Sequence, residues 1–256
     1  MNDKGRILYK DFGHSSGDSI KFVMEMEGLT YHEALNKVYN ELILKNLVTP
    51  STKIYKKENK EIRCRVKPFT YEIPYFKKYN ITPEVVKRYN TKAISEVWVG
   101  DKLRWVSVED NFIIGYYIPE HKEVKCYRPN SRGYISNFHS KTIFGYYQLP
   151  VAGDLLIWTK SPKDVLYLAS RNYNSICFNA ETCLIDHIDD NVIEDLKNRF
   201  TRHVVVYDND AVGHEYSKYL SDALGCERWF TPSQKDITDY HEVNGLIKTE
   251  EILKTI

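Results

Sequence analysis

No two cysteines in this sequence sit at CxxC spacing, no apolar run comes near the length of a membrane helix, and neither sign of charge prevails. The five cysteines, at 64, 126, 177, 183 and 226, also lack a histidine at zinc-ligand spacing. They read as reduced, mostly buried thiols of a cytosolic protein. A membrane helix needs roughly 18 consecutive apolar residues, and no segment here approaches that. The N-terminus does not read as a secretory signal, so the expectation is a soluble, cytoplasmic protein with no membrane partner. Lys plus Arg number 36 against 35 Asp plus Glu, a net charge of +1, so any nucleic-acid surface must come from local clustering. No GxxxxGK(S/T) stretch occurs, which excludes a P-loop helicase.

What is present is most informative at 204–216, "VVVYDNDAVGHEY". Val204 to Tyr207 is a short β-branched run suited to a strand buried on both faces of a parallel sheet. Ala211 to Leu224 carries apolar residues at helical spacing and meets Gly225 as a C-terminal stop. Asp208 and Asp210 therefore fall on a strand-to-helix turn at the carboxyl edge of the sheet, where open α/β folds place ligands. Two carboxylates at i and i+2 offer hard oxygens to Mg²⁺ or Mn²⁺. The alternative is that one aspartate merely caps the helix.

The 256 residues have room for one large domain or several small ones. Residues 1–47 open with a possible hairpin, "GRILYKDFGHSSGD", followed by two helices. The first carries Ile20, Phe22, Val23 and Met26 and ends at Gly28; the second starts with a Thr30–Glu33 capping box and runs through Leu35, Val38, Tyr39 and Leu42. Residues 48–68 are charged and aperiodic and read as a linker. Thr82-Pro83-Glu84 starts a helix. From 95 to 147, alternating segments such as "EVWVG", "LRWVSV", "FIIGYYI" and "EVKCYR" predict an antiparallel sheet. From 154 onward, strands "LLIW", "SICF", "HVVVY" and "CERWF" alternate with helices starting at Ser161, near Asp189 and at Ala211. This predicts a compact parallel sheet.

The stretches "TKSPKDVLYL" (159–168), "YDNDAVG" (207–213) and "QKDITDY" (234–240) resemble the TOPRIM fold of bacterial and phage DNA primases of the DnaG type. In that family one strand ends in a TEG-like motif followed by lysine and aspartate, a later strand ends in DxD, and a further acid lies downstream. Upstream, "FIIGYYIPEHKEVKCYRPN", "YISN" and "IFGYYQL" look like the small domain preceding TOPRIM in primases. "DFGHSSGDSIKFVMEMEGLTYHEAL" looks like the second half of their N-terminal zinc-ribbon module. The resemblance implies an α+β chain: a degenerate zinc-ribbon-like module at 1–47, a linker at 48–68, a small α+β domain at 69–150 and a Rossmann-like TOPRIM domain at 151–256. It implies primer synthesis from nucleoside triphosphates on single-stranded DNA in the cytoplasm of a bacterium or infected host, with a replicative helicase as a possible partner.

The chain departs from that pattern twice. The turn matching the zinc ligands reads Asp11-Phe12-Gly13-His14, and the first ligand pair would precede Met1; closed zinc sites want four N/S ligands, so no zinc is expected, as in phage primases in which a "KDF" hairpin replaces the ribbon. The motif glutamate is matched by Lys160 and the glycine by Ser161. Lysine has no acceptor for a metal. Three readings stay open: loss of catalysis, direct phosphate contact by Lys160, or a relocated carboxylate supplied by Glu181. The expected catalytic set is Asp208, Asp210, Glu181 and Lys160. The expected Mg²⁺ or Mn²⁺ ligands are Asp208, Asp210, Asp236 and Asp239. Arg128, Arg132, Lys141 and Lys163 are the expected nucleic-acid or nucleotide contacts, with Tyr127, Tyr134 and Phe138 interleaved for base stacking. A catalytically weak strand-binding or helicase-binding protein, and a TOPRIM nuclease, are the rival functions.

Overall fold

The computed structural model describes residues 8–10, 16–44 and 61–256, and the chain divides into two compact units, 1–58 and 59–256. In the first, β1 (Leu8–Lys10) pairs antiparallel with β2 (Ser16–Asp18), as the hairpin pattern predicts. The turn holding Asp11 to His14 lies outside the described residues, as does the part of the expected linker from 48 to 60. Helix α1 (Ser19–Glu27) stops at Gly28, whose φ of 65° lies in the left-handed region. Helix α2 (Tyr31–Leu44) opens on the capping box: Thr30 N–H donates to Glu33 Oε2 at 2.8 Å, and Glu33 N–H donates to Thr30 Oγ1 at 3.4 Å. The predicted apolar stripes are only partly covered. Ile20, Val23 and Val38 are half-buried, whereas Phe22, Met26 and Leu35 are exposed. Two helices and a short hairpin have too little surface to bury both stripes.

The second unit begins one strand earlier than the sequence suggests. β3 (Ile62–Lys67) occupies the end of the stretch read as linker. It is a charged edge strand: Ile62 and Cys64 face inward, while Arg63 and Arg65 reach Asp101 and Glu96 at 3.5 and 3.1 Å. A bulge between Arg65 and Val66 then breaks the alternation. Next come α3 (Glu72–Lys78), α4 (Pro83–Arg88), β4 (Thr91–Val99), β5 (Lys102–Val106), β6 (Ile113–Ile118), β7 (Glu123–Arg128) and β8 (Gly133–Ser136). The strands form an antiparallel sheet ordered β3-β4-β6-β7-β8, with β5 also on β4. Thr82 caps α4 by accepting from Val85 N–H, with Pro83 in the first turn.

The remaining elements are β9 (Ile143–Phe144), β10 (Gly153–Thr159), α5 (Pro162–Ala169), β11 (Asn174–Phe178), α6 (Asp190–Arg199), β12 (Phe200–Val206), α7 (Ala211–Leu224), β13 (Glu227–Arg228) and α8 (Ile237–Leu253). Their sheet runs β13-β12-β10-β11-β9. Four strands are parallel, as expected, and β9 adds an antiparallel edge. Alternate residues of β10 feed opposite faces: Ile157 packs with Val165, Leu166 and Val204, whereas Leu156 and Trp158 pack with Ile176, Phe178 and Val205. The first of these cores continues into the antiparallel sheet through Phe144, whose ring lies 5.7 Å from that of Tyr116. The division expected near residue 150 therefore runs through shared packing. Helix α8 was not anticipated from the sequence, and it is interrupted at Gly245, with φ 78° and ψ 173°.

Candidate site at the carboxyl edge of the parallel sheet

Three helix starts and two strand ends build the site. β10 and β12 are adjacent and parallel with Thr159 opposite Val206, so Lys160, the residue after β10, and Asp208, two residues past the end of β12, emerge at the same edge. Ser161 caps α5, its Oγ accepting from Asp164 N–H at 3.4 Å and its hydroxyl donating to Asp164 Oδ2 at 2.7 Å. Asp210 caps α7 by accepting from Gly213 N–H at 2.9 Å. A Cβ on Gly213 would lie 2.7 Å from the carbonyl carbon of Asp208, so α7 starts against that backbone only because no side chain intervenes. Asp236 caps α8: its Oδ1 accepts from Asp239 N–H and from the Thr238 hydroxyl, both at 2.7 Å.

The two alternatives for the DxD pair thus divide between its members. Asp210 is the cap, and Asp208, which is 5% exposed, faces the sheet edge. The Lys160 ammonium ion-pairs with Asp208 Oδ1 and, at 2.8 Å, with Asp236 Oδ2. Lys235 bridges Asp208 Oδ2 at 3.2 Å and Asp210 Oδ2 at 2.8 Å. Lys163 lies 3.8 Å from Asp236 Oδ2 and donates to Thr238 Oγ1 at 2.5 Å. Glu181 Oε1 accepts from Asp208 N–H at 3.3 Å. Stretches far apart in the sequence, 159–168, 207–213 and 234–240, meet here.

The charges respond to these contacts. Burial raises the Asp236 pKa, but Lys163 and Lys160 together pull harder and hold its carboxyl well below the usual range. Asp210 is lowered by the Gly213 N–H and by Lys235. Burial raises Glu181 and Asp164 against the pull of nearby lysines. Lys163 is raised despite burial, because Asp164 and Asp236 favour its charged form.

This edge forms one wall of a cavity of about 570 Å³ whose other wall belongs to the antiparallel sheet. Six cationic side chains (Lys78, Lys125, Arg132, Lys160, Lys163, Lys235) line it against four carboxylates (Asp208, Asp236, Asp239, Glu242), so an anion is favoured. On the antiparallel wall Lys125 donates to the Asn179 carbonyl and lies 5.1 Å from the centre of the Tyr134 ring. Arg132, held at a left-handed φ of 52°, is exposed. Tyr127 and Tyr134 complete this side. The other expected contacts lie elsewhere. Arg128 stacks 4.7 Å over Trp105 and donates to the Val106 carbonyl. Lys141 pairs with Asp189 in a separate pocket with His121 and Tyr146. Phe138 is core, packed on Phe144. Lys125 and Lys235 were missed, although strand parity in "EVKCYR" already puts Lys125 on the Tyr127 face and Arg128 on the other.

Three of the four expected Mg²⁺ or Mn²⁺ ligands, Asp208, Asp210 and Asp236, do not make a cation cradle in this arrangement, and the fourth, Asp239, lines the same cavity. Both oxygens of Asp208 are engaged by lysines, those of Asp210 by Gly213 N–H and Lys235, and those of Asp236 by the α8 cap and Lys160. A divalent cation would have to expel an ammonium group, and the donor set as placed does not fit it. Among the described residues, no three His, Cys, Asp or Glu side chains converge as a metal-binding group.

The structure is similar to the zinc-binding and RNA polymerase domains of the Aquifex aeolicus primase, at 16% identity over 96% of this chain and 72% of that one, with a TM-score of 0.51. It is similar to the DnaG primase catalytic domain bound to single-stranded DNA, at 14% identity over 73% and 71% of the two chains, with a TM-score of 0.53. A DNA primase domain from Pseudomonas aeruginosa matches at 12% identity over 83% and 76%, with a TM-score of 0.51. No family model matches the chain, and no curated protein matches its sequence. At these identities the likeness is one of fold, an antiparallel sheet joined to a TOPRIM-like sheet as in primase cores.

Proposed function

We propose that this chain is a primase-type protein of DNA replication that holds single-stranded DNA and nucleoside triphosphates in the cavity between its two sheets, and that its primer synthesis is weak. The carrying observation is the position of Lys160, paired with Asp208 and Asp236 where the resembling family has a glutamate. The antiparallel wall supplies what strand binding needs. Lys125 and Arg132 belong to no ion pair among the described residues, and Tyr127 and Tyr134 offer ring faces beside them. Cations for phosphates and rings for bases are the usual means of gripping a single strand. The turn Asp11-Phe12-Gly13-His14, which stands where the resembling module carries zinc ligands, holds no cysteine, which supports an N-terminal module of the zinc-less kind found in some phages.

The test pairs two measurements. Anisotropy of a labelled single-stranded oligonucleotide across a salt series is expected to show binding that falls as salt rises, together with little labelled primer from nucleoside triphosphates on the same template. Absence of binding at low salt would refute the reading. A second reading, an active primase using Glu181 as its acid or base, is favoured by the 3.3 Å contact of Glu181 with Asp208 N–H and by the burial that raises its carboxyl. Robust synthesis that is lost in Glu181→Gln would select it.

A further inference from the structure

We propose that the ammonium groups of Lys160 and Lys235 take the place of a divalent cation, so that the cavity binds the triphosphate of a nucleotide without metal. The inference rests on the reading that this cavity holds nucleotides. A metal ion at such an edge neutralises clustered carboxylates and presents positive charge to phosphate oxygens. Here Lys160 lies between Asp208 and Asp236, and Lys235 lies between Asp208 and Asp210 at 3.2 and 2.8 Å. An ammonium has three donors, so two spent on carboxylates leave one for a phosphate oxygen, and both lysines line the cavity. The Lys160 side chain is 16% exposed and anchored on both sides. It therefore loses little freedom on binding, and its hydrogen bond to an anion is of the strong, charge-assisted kind. Lys163, fixed by Thr238, adds a third positive charge to the same wall. The aspartates serve as anchors that hold the two ammonium groups in place.

The experiment is calorimetric titration of the full chain with ATP in EDTA and in Mg²⁺, run beside Mn²⁺ binding read by electron paramagnetic resonance and oligonucleotide binding on the same preparations. ATP is expected to bind at least as tightly in EDTA as in Mg²⁺, and the wild-type chain to leave Mn²⁺ free. Lys160→Met and Lys235→Met are each expected to weaken ATP binding in EDTA about tenfold, the effect of losing one charge-assisted hydrogen bond. Lys160→Glu is expected to acquire Mn²⁺ binding. Should the Lys160 variants misfold, Lys235→Met at a side chain 54% exposed keeps the test, and unchanged ATP affinity there overturns the proposal. ATP binding that appears only with Mg²⁺, or stoichiometric Mn²⁺ on the wild type, also overturns it. Either result with oligonucleotide binding intact leaves the proposed function standing, whereas loss of both ATP and oligonucleotide binding removes the two together.

Discussion

The two walls of the cavity carry similar residue types in opposite conditions. On the parallel-sheet wall the charges are consumed: the side chains of Lys160, Asp208 and Asp236 are 16, 7 and 11% exposed and satisfy one another. On the antiparallel wall Arg132 and Tyr134 are exposed, and Lys125 makes its polar contact with a carbonyl rather than an acid. Paired charges taken from water return little net stability, yet become costly when one partner is lost. The first wall is thus a preset electrostatic surface, held in one geometry by its own balance. The second is a set of uncommitted groups whose affinity is available to a ligand.

That contrast breaks most visibly if one anchor is removed. Asp236→Ala takes from Lys160 one of its two carboxylate partners, leaves Lys163 without its ion pair and uncaps α8, and should cost about 3–5 kcal/mol of stability in urea unfolding, while Arg132→Ala should leave the unfolding midpoint nearly unchanged. A second sharpening uses pH. The folded Asp236 carboxyl titrates below its ordinary value of 3.8, so its contribution is complete above that value and is lost as pH falls through it toward the folded value. Asp236→Asn, which keeps a cap acceptor, should flatten the acid limb of stability against pH. On the opposite wall, Lys125→Ala with Arg132→Ala should weaken oligonucleotide binding about tenfold and reduce the salt slope by about 1.4, since two phosphate contacts to a single strand are removed. The smallest effect belongs to Lys141→Ala, whose partner is Asp189 in another pocket: oligonucleotide affinity should stay within about twofold, as expected for a surface pair away from the strand.

The parts of this arrangement legible in the sequence are those fixed locally. The caps at Thr30, Thr82, Ser161 and Asp210 are read from a residue and the few that follow it, and each forms. The strand and helix alternation from 154 onward is equally local, and it gave the sheet edge on which Lys160, Glu181 and Asp208 meet. What stayed hidden depends on distant partners or on lost phase. Nothing near Lys160 announces that its ammonium is shared with Asp236, 76 residues away. Lys235 reads as a generic charge until the start of α8 places it over Asp208 and Asp210. Helix α8 escaped notice because Gly245 resets its phase, so the apolar residues on either side do not share one stripe. Arg128 and Tyr127 are neighbours in sequence, yet a strand sends neighbours to opposite faces, and only Tyr127 lines the cavity.

The tight start of α7 bears on how this site can be altered by descent. At position 160 the side chain has the cavity in front of it, so a change there is limited by the aspartates it leaves unpaired rather than by space. Position 213 has no such latitude, because a single added carbon would run into the Asp208 backbone and push that carboxylate off the sheet edge. In a saturation library selected only for a folded site, position 160 should therefore accept exchanges at a cost set by charge, whereas position 213 should accept almost none although it carries no functional group at all. The lineage of this pocket would be traced through a missing side chain, with its charges read as the variable part.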